Sequence, residues 1–69
     1  MLTFKLREDH IKLGQLLKAM NMVETGADAK DVIQQGMVKV NGEIETRRGK
    51  KLTEGDQVLF EGQTVKIEK

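Results

Sequence analysis

Four of the five residues in the run Arg47-Arg48-Gly49-Lys50-Lys51 are cationic, and the fifth is glycine. Adjacent arginines can grip phosphate oxygens bidentately, because the guanidinium fork matches them in shape as well as charge. A charge run alone describes a solvated loop as readily as a binding site. Its surroundings favour binding. Lys39 lies upstream, just before Asn41-Gly42, and Lys30 falls early in a helix-forming stretch. The helix dipole disfavours a cation there, but backbone N–H groups and an ammonium together can hold a phosphate. Lys30, Lys39, Arg47, Arg48, Lys50 and Lys51 are therefore expected to form one basic patch, with Gln34 and Asn41 adding polar contacts.

Nothing else in the chain offers reactive chemistry. His10 is the one histidine and sits beside Asp9 in a polar stretch. A general base needs a positioned partner and a pocket, so a solvated turn histidine is the expectation. Without cysteine there is no disulfide, thiolate site or Cys/His zinc cluster. The carboxylates lack calcium-loop spacing, and no glycine-rich nucleotide loop is present. Met20, Met22 and Met37 are expected to fill the core. No catalytic residue, metal or cofactor is expected.

The elements that must position the patch follow from periodicity. Leu2, Phe4 and Leu6 alternate with polar residues, as in a half-buried strand. Leu13, Leu16, Leu17 and Met20 repeat at i, i+3, i+4, i+7 and predict a helix of about three turns, ended by Asn21. Thr25 suits the N-cap of a second helix, with Asp28 in its first turn, and Ala29, Val32 and Ile33 form its apolar stripe. Gly36 fits the left-handed residue that closes a helix. Val38-Lys39-Val40, the turn Asn41-Gly42 and a return strand Glu43–Thr46 predict a hairpin. Residues 47–51 then read as a loop. Gly55-Asp56 and Glu61-Gly62 mark turns around strands 57–60 and 64–67. The expected architecture is α+β: two helices packed on a small, mostly antiparallel sheet.

At 69 residues the chain is expected to be one domain, 1–69, with a small core. Its apolar runs are far shorter than a membrane span, and the N-terminal residues lack a signal-peptide pattern. A cytoplasmic monomer with no membrane partner is the expectation. The net charge of +1 conceals a polarity. Residues 1–29 balance four cations against four anions, residues 30–51 set six against three, and residues 52–69 set two against four. Aromatics make up only 3%, Phe4 and Phe60, both on apolar strand positions and assigned to the core. A stacking platform for single strands is thus disfavoured, which leaves recognition of phosphate and shape, as used on structured RNA.

The order of residues resembles a known module. Leu13-Gly14-Gln15-Leu16-Leu17-Lys18, then Thr25 through Gly42 with Ile33-x-x-Gly36-x-Val38-x-Val40-Asn41-Gly42, then Gly55-Asp56-Gln57-Val58, look like the S-four RNA-binding domain, named after ribosomal small-subunit protein S-four. The resemblance covers roughly residues 12–60 and extends to the free-standing bacterial members. It implies an αL-type fold of two helices on a small sheet, with RNA along the second helix, the hairpin and the following loop. Lys30 stands where the family commonly has a basic residue, and Arg47, Arg48, Lys50 and Lys51 fall in its variable basic loop. Many members begin the second helix with Ser-Arg; Thr25-Gly26 keeps the cap and drops the cation.

These observations lead to the expectation of a non-catalytic protein that binds structured RNA: ribosomal RNA, transfer RNA or a ribosomal particle. The alternative is a protein-interaction adaptor that turns its basic face to an acidic partner. DNA is a third possible ligand, and an enzyme is the weakest reading.

Overall fold

The computed structural model describes residues 1–69. Strand β1 (Leu2–Lys5) is followed by a two-residue strand β2 (Ile11–Lys12) that runs directly into helix α1 (Leu13–Ala19). Leu13, Leu16 and Leu17 are fully buried, as their spacing requires. The helix is shorter than predicted. Ala19 is its last residue and half-buried Met20 its C-cap. Asn21 takes the left-handed conformation, φ 56°. The N–H of Met22 then donates to the Leu17 carbonyl and that of Asn21 to the Lys18 carbonyl, a Schellman closure.

Helix α2 (Gly26–Gln34) starts where the cap predicts: the Thr25 hydroxyl accepts from the Asp28 N–H at 3.1 Å. It ends in a second Schellman closure, in which Gly36 has φ +77° and the Met37 N–H reaches the Val32 carbonyl. Ala29 and Ile33 face the core.

Strands β3 (Val38–Val40) and β4 (Glu43–Ile44) form the predicted hairpin across Asn41 (φ 52°) and Gly42 (φ +86°). β5 (Lys51–Leu52), β6 (Gln57–Phe60) and β7 (Gln63–Glu68) complete the chain. The main sheet has the order β1-β7-β6-β3-β4, and only the β1–β7 pair is parallel. β2 and β5 make a separate antiparallel ribbon with Ile11 opposite Leu52 and Lys12 opposite Lys51. Thus Lys51, expected in a loop, is a strand residue, and the return strand of the hairpin stops at Ile44 instead of Thr46. Beyond Ile44 the Glu45 N–H still donates to the Val38 carbonyl at 3.0 Å, and the Glu45 carboxylate accepts from Arg47.

The two helices lie on one face of the main sheet. Between them and the sheet, Val38, Val58, Phe60, Val65 and Ile67 meet Leu13, Leu16, Leu17, Ile33 and Leu52 in one apolar cluster. No polar or charged residue is buried. Two assignments made from periodicity change. Phe4 is only half-buried, packed at the margin of the core. Met37 is 47% exposed on the outer side of the sheet, although Met20 and Met22 do pack against the core. The strand parity explains Met37: Val38 and Val40 point inward, so Met37 and Lys39 point out.

Candidate nucleic-acid interface

The basic run does not hang free. Two of its carbonyls serve as the N-terminal cap of α1: the Lys50 carbonyl accepts from the Leu13 N–H at 2.8 Å and the Arg48 carbonyl from the Gly14 N–H at 3.0 Å. α1 has no side-chain cap of its own. The loop thereby satisfies two of the donors that every helix start leaves unpaired. It is held against α1 by its backbone, and Arg47, Arg48 and Lys51 remain exposed.

A groove of about 350 Å³ lies where this loop, α1 and the start of α2 meet. Lys12, Lys18 and Arg48 supply its charge, Gln15 a polar edge, and Gly14, Gly26 and Gly49 leave its walls low. No carboxylate lines it. Gly14 lines the groove between Arg48 and Ala29: a Cβ there would meet the Arg48 Cβ and carbonyl at 3.5 Å and the Ala29 Cβ at 3.9 Å, ordinary contact distances. Gly26, with nothing within 4 Å of a notional Cβ, leaves the α2 end of the groove open. Lys12 is also paired across the ribbon with Lys51. Like charges directly opposed on neighbouring strands are destabilising, so this pair suits an anion shared between them.

The expected patch divides into parts. Arg48 lines the groove, and Lys51, outside its lining, is paired across the ribbon with the groove residue Lys12. Lys50 is half-buried and does not line it. Lys30 and Gln34, both exposed and four residues apart, share one flank of α2, with Lys30 one turn along from Gly26. Lys39 lies apart, on the sheet face turned away from the helices. Arg47 is engaged within its own turn. Its Nε donates to Glu45 Oε2 at 3.0 Å and its Nη2 to Oε1 at 3.2 Å, while its backbone N–H donates to Oε2 at 3.1 Å. These side-chain and backbone bonds from Arg47 hold the Glu45 carboxyl well below the usual carboxylate range, at about 2. The Arg47 guanidinium is raised in return by the same bond. Asn41 is engaged too: its Oδ1 accepts from the Gln57 N–H at 2.9 Å and its Nδ2 donates to Asp56 Oδ1 at 3.0 Å.

Lys12, Gln15 and Lys18 were not among the residues expected in the patch. Lys12 ends β2, and Gln15 and Lys18 are exposed residues of α1. The available signal was their exclusion from the leucine stripe: Gly14 and Lys18 fall on one flank of α1, next to a small residue that lets another element approach. The basic-loop residues they meet, Arg48 and Gly49, lie thirty or more residues downstream.

The chain is a short α+β unit whose two helices and one basic loop meet around a carboxylate-free groove. The chain belongs to the S4 domain family, whose model matches residues 4–68. Over 68 residues, 97% of each chain, it is 43% identical to the "Putative RNA-binding protein YbcJ" of Escherichia coli (strain K12). It is 44% identical over 52 residues to the "Probable ribosome maturation protein RlbA" of Bacillus subtilis (strain 168), covering 75% of this chain and 73% of that one. The solution structure of YbcJ from E. coli, described as revealing an "ALFAL" motif involved in RNA binding, matches with a TM-score of 0.75 and 41% identity. That likeness covers 100% of this chain and 89% of the other. The expected α+β architecture and the family resemblance both hold.

Proposed function

We propose that this chain is a non-catalytic RNA-binding protein of the cytoplasm, acting as a single unit on structured RNA of the ribosome or its precursors. The observation that carries the reading is the groove in which Lys12, Lys18 and Arg48 converge without a carboxylate. Three cations at the junction of three elements form a place for successive phosphates of a folded RNA backbone. Lys51, Lys50, Lys30 and Gln34 extend the track on either side. The names given to YbcJ and RlbA, one for RNA binding and one for ribosome maturation, support the same class of partner.

The test is the salt dependence of binding to a structured ribosomal RNA fragment. With about four to six phosphates neutralised, the logarithm of affinity should fall against log salt with a slope of about −3 to −5. A flat dependence would sink the reading. Duplex DNA as competitor decides whether the A-form geometry of RNA is what is read.

A second reading, a protein adaptor, has one specific feature in its favour. Met37, Ile44 and Leu59 are 47%, 60% and 38% exposed. Ile44 and Leu59 flank Lys39 on the outer sheet face, where each lies opposite it in register. Nuclease-resistant co-purification with a protein partner, lost on Ile44→Glu, would favour it.

A further inference from the structure

A second cleft, of about 320 Å³, opens on the other side of α1 from the cationic groove. The two share Gln15 and Lys18, so one side-chain ridge separates them and a ligand crossing α1 enters both. Their linings differ in kind. The groove offers cations and no acceptor carboxylate. The cleft has an apolar floor from half-buried Phe4 and Ile11, buried Leu6 and exposed Ala19. Its rim combines the donors Arg7 and Gln15 with the carboxylate of Glu8 and the ring of half-buried His10.

With Glu8 set against the cations Arg7 and Lys18, that combination suits a bare phosphate less well than the carboxylate-free groove does. It fits a nucleobase. A base presents an apolar face to Phe4 and Ile11, and an edge carrying both donors and acceptors to Arg7, Gln15 and Glu8. A volume near 320 Å³ lies at the small end of the roughly 300–1,000 Å³ of small-ligand sites, enough for one base. Resting on the RNA-binding reading above, we propose that this cleft accepts a single unstacked nucleotide of the bound RNA. The phosphates on one side of it pass over Lys18 into the cationic groove. Recognition then has two parts, a backbone track that is indifferent to sequence and one pocket that requires an unpaired base next to a helical stem.

The test uses the full chain, isotopically labelled, titrated with adenosine and uridine monophosphates and with inorganic phosphate. The nucleotides should shift the amides of Arg7, His10, Ile11 and Ala19, whereas inorganic phosphate should shift only those around Lys12, Gly26 and Arg48. Binding is then compared for an RNA hairpin with one bulged nucleotide and for the same stem fully paired. The bulged RNA should bind roughly tenfold more tightly, the scale of one stacked base. Ala19→Glu, at an exposed position, should erase that preference while retaining binding to the paired stem. Equal binding of the two RNAs, with no nucleotide-induced shifts at the cleft, overturns this proposal and leaves the groove intact as an RNA site. Cleft shifts caused by an apolar amino-acid amide but not by nucleotides also overturn it, and assign the cleft to a protein side chain. Failure of both RNAs to bind overturns the RNA reading, and this proposal with it.

Discussion

Asn41 and Asp56, fifteen residues apart, are joined side chain to side chain at 3.0 Å. Asn41 forms the left-handed first position of the β3–β4 turn, and Asp56 follows the glycine of the turn before β6. The second carboxylate oxygen of Asp56 accepts from the Thr53 N–H at 2.8 Å, and Asn41 Oδ1 accepts from the Gln57 N–H at 2.9 Å. The two short signatures that carried the resemblance, Val-Asn-Gly and Gly-Asp, are thus halves of one hydrogen-bonded clasp. The Asn41 side chain is engaged in it through both its oxygen and its nitrogen.

Asp56→Ala leaves the Asn41 amide and the Thr53 N–H without their partner. A loss of about 1–2 kcal/mol is expected, which for a domain of this size lowers the melting temperature by roughly 5–15 °C. Calorimetry or circular dichroism checks it. RNA affinity measured well below the transition should be unchanged, which separates the clasp from the binding surface.

Arg47 and Arg48 are adjacent but are expected to behave differently. Arg48→Ala removes a groove cation and should weaken RNA binding with a reduction of about one in the salt slope. Arg47→Ala should do less, because Glu45 already occupies that guanidinium. Glu45→Gln should raise affinity by releasing it. Filter binding at three salt concentrations resolves all three variants, and equal losses at the two arginines would contradict the division.

The Glu45–Arg47 pair also has a pH signature. Its folded carboxyl is lowered to about 2 from an ordinary 4.5. The stability it contributes is therefore complete above about 4.5 and is lost as pH falls through about 2, when the carboxylate is finally protonated. A carboxyl-detected titration by NMR should find Glu45 still ionised at pH 3, where solvated carboxylates are mostly protonated. Glu45→Gln should remove its share of the pH dependence between these limits. A midpoint near 4.5 would show that the pair does not persist in solution.

Gly14 separates space from charge in the groove. Gly14→Ala places a Cβ at ordinary contact distance from Arg48, and alanine is the better helix former. The variant should fold with equal or higher stability, by no more than about 1 kcal/mol. Gly14→Glu brings a carboxylate among Lys12, Lys18 and Arg48, and should abolish RNA binding in a protein that still gives a cooperative melt. Retained binding would remove the groove from the interface.

Much of this fold is legible in the residues because its determinants are local. The leucine stripe of α1, the Thr25 cap, Gly36 and the Asn41-Gly42 turn each act within a few positions, and each reappears where its pattern predicts. The β2–β5 ribbon is not legible. Two residues on each side cannot display an alternation, and the pairing of Ile11 with Leu52 depends on α1 docking against the loop. The site divides in the same way. Arg48 and Lys51 stand out as a charge run, whereas Lys12 and Lys18 acquire meaning only from the loop that packs beside them. The capture of Arg47 by Glu45 is not legible in the charge run, which shows cations but not which of them a neighbouring carboxylate holds.

The ribbon that sets Lys12 against Lys51 gives the protein two opposite responses to one variable. Screening eases the mutual repulsion of the lysines, so moderate salt should firm the unliganded fold, while the same salt loosens the complex by competing for phosphates. On the proposed reading, an RNA backbone laid across the ribbon would replace the diffuse ions with fixed ones. The ligand should then act as a strut of the structure it binds, leaving the free protein the more pliant of the two states.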